Sequence, residues 1–130
     1  MKSNFIHDFA SLVNLKKLTV LDASYYAITD LQTFKKLENL IELNLSSNYI
    51  VDISPISKLK NLVWLYLSSN IIENFAELSN LDRLKGLYLS NNNIKYFPKI
   101  FLKHSLQINW ANTGYGLTIK DNPLKHPPIE

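Results

Sequence analysis

Leu40-Ile41-Glu42-Leu43-Asn44-Leu45-Ser46-Ser47-Asn48-Tyr49-Ile50 is the stretch from which the rest of the chain can be read. It follows the pattern L-x-x-L-x-L-x-x-N-x-I. The pattern recurs from Leu62 to Ile72 and from Leu84 to Ile94, with a weaker copy from Leu18 to Ile28. The starts Leu18, Leu40, Leu62 and Leu84 are 22 residues apart. A fixed period outranks local signals, because each unit buries its apolar face only against its neighbours and the stack decides the architecture.

Within one unit the physics is legible. Leu43 and Leu45 alternate with polar residues, so a short strand turns them inward and leaves Glu42, Asn44 and Ser46 outward. The second half also repeats: Ile50, Ile53, Ile56 and Leu59 recur as Ile28, Leu31, Phe34 and Leu37, and as Ile72, Phe75, Leu78 and Leu81. A spacing of three with polar cover predicts a short helical or 3₁₀ turn with one buried face. Asp8, Asp30, Asp52 and Asn74 precede these turns, where a side-chain oxygen can accept from free N–H groups. Asn48, Asn70 and Asn92, joined by Asn122 near the C-terminus, form a column read as structural. A short amide there can bond backbone groups where the chain leaves the sheet.

Together these features predict an α/β solenoid, with parallel strands on a concave face and short helices or 3₁₀ turns on the convex face. The 130 residues read as one domain. Residues 1–17 form an N-terminal half-repeat cap, 18–105 four repeats, and 106–130 an irregular last repeat with its cap. The first full repeat is degenerate, with Ala23 for a core leucine and Tyr26 in the asparagine column. The last repeat has two possible registers. Keeping the period starts it at Leu106 and puts Trp110 beside Tyr88, whereas Leu117-Thr118-Ile119-Lys120-Asp121-Asn122-Pro123-Leu124 fits the pattern better and starts it at Gly114, 30 residues after Leu84.

The central repeats resemble leucine-rich repeat proteins, in particular the 22-residue class shared by phosphatase-regulator-like and many bacterial proteins. That resemblance covers roughly Phe5 to Tyr96 and implies a fold rather than a function. The tail, Ser105 to Trp110 with Gly116 to Glu130 and its Asn122-Pro123-Leu124-Lys125-His126-Pro127-Pro128-Ile129-Glu130, is similar to the last repeat of bacterial Roco-type proteins. In those proteins an N-P-L-x-x-P-P-x-E stretch leads into a helix and then a GTPase domain. The likeness implies a fragment of a larger signalling protein or a stand-alone relative. The sequence has no G-x-x-x-x-G-K-[ST] loop, so no nucleotide site carries over.

Composition narrows the function classes. Cysteine is absent, which removes disulfide and thiolate chemistry and favours a reducing, cytoplasmic setting. No signal peptide and no membrane span are evident. The formal charge of +3 is spread along the chain without a base–aromatic stripe, which argues against nucleic-acid binding. His7, His104 and His126 lie far apart and offer no metal spacing. No catalytic residues, metal or cofactor are expected, and the chain reads as a non-enzyme and a monomer.

The outward strand positions carry the functional reading. One column runs Asp22, Asn44, Tyr66, Tyr88, then Trp110 if the period persists; its neighbour runs Val20, Glu42, Trp64, Gly86, Ile108. A third is Ser24, Ser46, Ser68, Ser90. Strands about 4.8 Å apart should bring Tyr66 and Tyr88 into contact. Exposed aromatics with polar neighbours are the usual composition of an interface centre. The expected partner-binding residues are therefore Asp22, Glu42, Asn44, Trp64, Tyr66, Tyr88 and Trp110, facing a protein or peptide. Asp22 and Glu42 point to Lys or Arg on that partner. The competing reading is that Tyr and Trp pack across strands for stability alone. Two other functions are a regulatory module of a Roco-type GTPase or other multidomain protein, and an extracellular carbohydrate or host-surface binder.

Overall fold

The computed structural model describes residues 9–103, 106 and 116–125. Five three-residue strands form one parallel sheet in chain order: β1 (Val20–Asp22), β2 (Glu42–Asn44), β3 (Trp64–Tyr66), β4 (Gly86–Tyr88) and β5 (Gly116–Thr118). Between them run short 3₁₀ turns at Phe34–Lys36, Ser54–Lys58, Ala76–Asn80 and Lys99–Lys103, with a further one at Ala10–Asn14 before β1. The sheet is open and the turns stack opposite it, as an α/β solenoid requires.

The period of three explains why the turns are 3₁₀ rather than α. The N–H of Ile56 donates to the Ile53 carbonyl, Leu59 to Ile56 and Leu62 to Leu59, at 3.0 to 3.1 Å. Phe75, Leu78, Leu81 and Leu84 form the same chain of bonds. In 3₁₀ geometry residues i and i+3 eclipse, so the hydrogen-bonded residues are also the ones facing the core. Asp30, Asp52 and Asn74 each accept at 2.9 Å from the N–H two residues on, which orients the entry to the turn. This is an Asx turn one residue before the cap position, which Ile53 and Phe75 occupy in the second and third cases.

The core is one continuous column. Each central repeat contributes a full set, such as Ile50, Ile53, Ile56, Leu59, Leu62, Leu65 and Leu67, all buried. Burying one such side chain contributes about 1.5–3 kcal/mol, and because every layer touches the next, no repeat holds this alone. Phe9, packed against Phe34 at 5.1 Å and edge-on to Tyr26 at 5.9 Å, covers the first layer. Phe75, Phe97 and Phe101 form a second ring cluster further along, with Phe75 to Phe101 centroids 4.8 Å apart.

The final strand settles the two registers. Gly86 pairs with Gly116, Leu87 with Leu117 and Tyr88 with Thr118, so the step from β4 to β5 is 30 residues. Continuation of the 22-residue period to Leu106 is therefore not what the sheet does. Leu117 and Ile119 supply the buried pair that a core layer needs, while Leu106 is buried outside any strand. The place beside Tyr88 belongs to Thr118, not Trp110, and Gly116 rather than Ile108 follows Gly86. Trp110 itself lies outside the described residues.

Candidate functional site

Two faces of the solenoid carry polar side chains in ordered columns. At the loop edge, Asn48, Asn70, Asn92 and Asn122 have nearly identical surroundings. The Asn70 Nδ2 donates to the carbonyls of Leu45 and Leu67 at 3.0 and 3.1 Å, and its Oδ1 accepts from the Ile50 N–H at 3.0 Å. Asn92 does the same for Leu67, Leu89 and Ile72, and Asn122 for Leu89, Ile119 and Ile94. Asn48 accepts from both Tyr26 and Ile28. Each amide thus satisfies backbone groups of its own repeat and of the one before. The preceding residue has left-handed backbone at Ser47, Ser69, Asn91 and Asp121, with φ between 54° and 58° or 59°. That conformation costs an L-residue about 1 kcal/mol, and the bonds of the following asparagine offset it.

The concave wall is different. β1 to β3 alternate so that Leu43 and Leu65 are fully buried while Glu42, Asn44, Trp64 and Tyr66 are half-buried. The register puts Glu42 beside Trp64 and Asn44 beside Tyr66. Tyr66 and Tyr88 lie face to face, with centroids 4.6 Å apart and planes 4° from parallel. The spacing is that of adjacent strands, so the two rings stand upright on the sheet like pages.

Trp64 occupies the space that Gly86 leaves open. A Cβ on Gly86 would lie 2.5 Å from the Trp64 Cε3, 2.7 Å from its Cζ3 and 2.9 Å from the Tyr88 Cε2. The indole therefore lies across β4, with Tyr88 on the same glycine, and the three residues form one continuous apolar surface. Gly86 is buried as a result.

Acidic and amide groups flank the rings on the β1 side. Asp22 accepts from the Ser24 hydroxyl at 2.6 Å and the Ser24 N–H at 2.9 Å. Those bonds, with a further one from the Asn44 amide, hold its carboxyl below the usual range despite some burial. Asn44 in turn accepts from the Ser46 N–H at 3.0 Å. Burial raises the Tyr66 phenol, and the charge of Glu42 raises it further. On the other side the wall closes: Ser90 and Thr118 are buried, with their hydroxyls 3.4 Å apart.

Six of the expected contact residues, Asp22, Glu42, Asn44, Trp64, Tyr66 and Tyr88, thus share one wall. The three histidines lie outside the described residues, and no group of acidic residues within the described part could hold a metal ion. No helix of the described residues is long and apolar enough to cross a membrane. An open groove of about 510 Å³ lies elsewhere, between Asn74, Asn93, Tyr96 and Lys99. Its amides are already engaged, Asn74 with Ala76 and Asn93 with Glu73 at 3.4 Å, so it is a gap between turns.

A second amide column, outside the strand pattern, joins successive repeats. Asn61 donates to the Glu38 carbonyl at 3.0 Å and accepts from Arg83 at 2.8 Å, and Asn39 donates to the Lys16 carbonyl. The signal was present, since Asn39, Asn61 and Arg83 also lie 22 residues apart.

Comparison with known proteins agrees with this architecture. Two leucine rich repeat family models match, one over residues 20–72 and the other over residues 83–104. Among solved structures, an internalin C2 from Listeria monocytogenes is similar over 92% of this chain, with a TM-score of 0.77 and 26% identity. A leucine-rich repeat protein of Leptospira interrogans is similar over 92%, with a TM-score of 0.67 and 26% identity. A second Listeria internalin, 23% identical over 93% with a TM-score of 0.69, shares the fold. This chain spans 50%, 35% and 40% of those three chains, in that order. No curated protein sequence matches it. The chain is a leucine-rich repeat protein.

Proposed function

We propose that the concave wall recognises a protein or peptide, with Trp64, Tyr66 and Tyr88 at the centre of the contact and Asp22, Glu42 and Asn44 at its edge. One observation carries this reading: three large rings form a continuous, half-exposed surface although the core is filled from the opposite side of the strands. Ring stacking contributes some stability, about 0.5–1.5 kcal/mol for a well-placed pair, but it does not require the surface to remain open. Leucine-rich repeat domains commonly serve protein–protein interaction, which supports the same reading.

Trp64→Ala and Tyr66→Ala should each weaken partner binding by about 2 kcal/mol or more, the scale of an interface centre. Affinity capture from native lysate, with Tyr66→Ala/Tyr88→Ala as control, is the test. A partner retained equally by that double variant refutes the assignment.

A second reading, a regulatory repeat module of a larger Roco-type protein, is favoured by one observation. Within the tail that carries that resemblance, Gly116–Thr118 forms β5 and Asn122 bonds like the other asparagines of the column. Reading the gene beyond Glu130 tests it: a downstream P-loop supports this placement, and a stop codon removes it.

A further inference from the structure

The charges of this protein are sorted by face. The chain holds 14 Lys and Arg against 11 Asp and Glu. Yet the outward positions of β1 to β4, together with the serines two residues past Asp22, Asn44, Tyr66 and Tyr88, include two carboxylates, Asp22 and Glu42, and no Lys or Arg. The wall is negative in a positive protein. The first cation in these columns is Lys120, 30 residues after Ser90, exposed at the far end beyond the rings. From β1 to β5 the face thus runs from acid through aromatic to base.

The rings present a seat at the acidic side. Tyr66 spends one face on Tyr88. Its other face looks towards β2, where its direct neighbour is Asn44. Asparagine is shorter than tyrosine, so the outer part of that ring face stands clear above the amide. Glu42 lies diagonally across, beside Trp64, near enough for its charge to act on the Tyr66 phenol. An aromatic face attracts a cation through its quadrupole, and a carboxylate beside it adds direct attraction.

From this arrangement we infer that the segment taken by the concave wall is basic, with a Lys or Arg side chain lying over the β2-side face of Tyr66 and paired with Glu42. This deepens the proposed use of the wall and rests on it. The occupant is an extended protein segment running across the strands. Its cation lies between β2 and β3, on the acidic side of the rings, and acidic residues are accepted only near Lys120.

The test uses the full chain and an array of random short peptides graded from acidic to basic. Binders should concentrate among the Lys- and Arg-containing peptides. For the best of these, anisotropy should show affinity falling roughly tenfold with Glu42→Gln and by a similar factor on raising salt from about 0.05 to about 0.5 M. Tyr66→Ala should lose it as well, and the far-UV spectrum of both variants should stay unchanged. If Tyr66→Ala abolishes binding while Glu42→Gln and salt leave it within about twofold, the cation seat is wrong and the wall still binds. If neutral or acidic peptides bind as well as basic ones, or only a glycan array gives binders, the inference falls. Binding that survives Tyr66→Ala overturns both readings.

Discussion

At the loop edge, four successive turns carry the same residue, Asn48, Asn70, Asn92 and Asn122, and give it the same bonds. In one column of the concave wall of those repeats the neighbours differ completely: Glu42, then Trp64, then Gly86. The contrast follows from what each position must do. The edge amide meets backbone N–H and carbonyl groups whose geometry recurs in these four repeats, and the short amide of asparagine fits them each time. The wall faces outward, where stacking imposes no chemistry, and its variety is free to serve something outside the fold.

The strongest way to break this contrast is Asn70→Ala. It strands the Ile50 N–H and the carbonyls of Leu45 and Leu67 beneath a buried side chain. Urea unfolding should show a loss of about 3 kcal/mol. Asn92→Ala should cost less, since Asn92 is only half-buried. Equal and negligible losses would remove the structural role assigned to the column.

Next in size is Gly86→Ala, which places a methyl group within the Trp64 ring. Because the backbone there is not left-handed, the effect comes from packing alone. A cost of about 2 kcal/mol is expected, with a changed tryptophan emission as the indole leaves β4. Unaltered emission and stability would show that Trp64 does not depend on the glycine.

The smallest effect concerns acid. Asp22 and Asp52 are held below the ordinary carboxylate range, Asp22 first by the Ser24 hydroxyl and Asp52 first by the Ser54 N–H. A depressed carboxylate contributes stability above its unfolded value, near pH 3.9, and that contribution is lost as pH falls through the lower folded value. Both groups are exposed, so each contributes about 0.5 kcal/mol or less after solvent screening. Asp52→Asn should flatten the acid limb of the stability curve below about pH 4. An unchanged limb would mean that the Asx turn adds nothing.

Much of this molecule is legible in its sequence. The 22-residue spacing places Glu42, Trp64 and Gly86 in one column, and the sheet pairs them in that order. The run of three in Ile53, Ile56 and Leu59 marks the turn and its buried face, though not its 3₁₀ form in advance of α. Asn39 and Asn61 share the 22-residue spacing but lie outside the strand pattern, so their role shows only in the bonds they make between repeats. Trp110 falls beside Tyr88 only if the period continues, whereas the sheet places Thr118 there.

What the sequence alone determined is which residues face the same way, since strand alternation and a constant repeat length are properties of the chain itself. Only the tertiary structure decided how side chains from different repeats meet. The Tyr66–Tyr88 stack, the indole lying over Gly86 and the 30-residue step to β5 all depend on ring rotamers and on which apolar pair fills the last core layer. Those choices are set by contacts across strands, and no single repeat contains them.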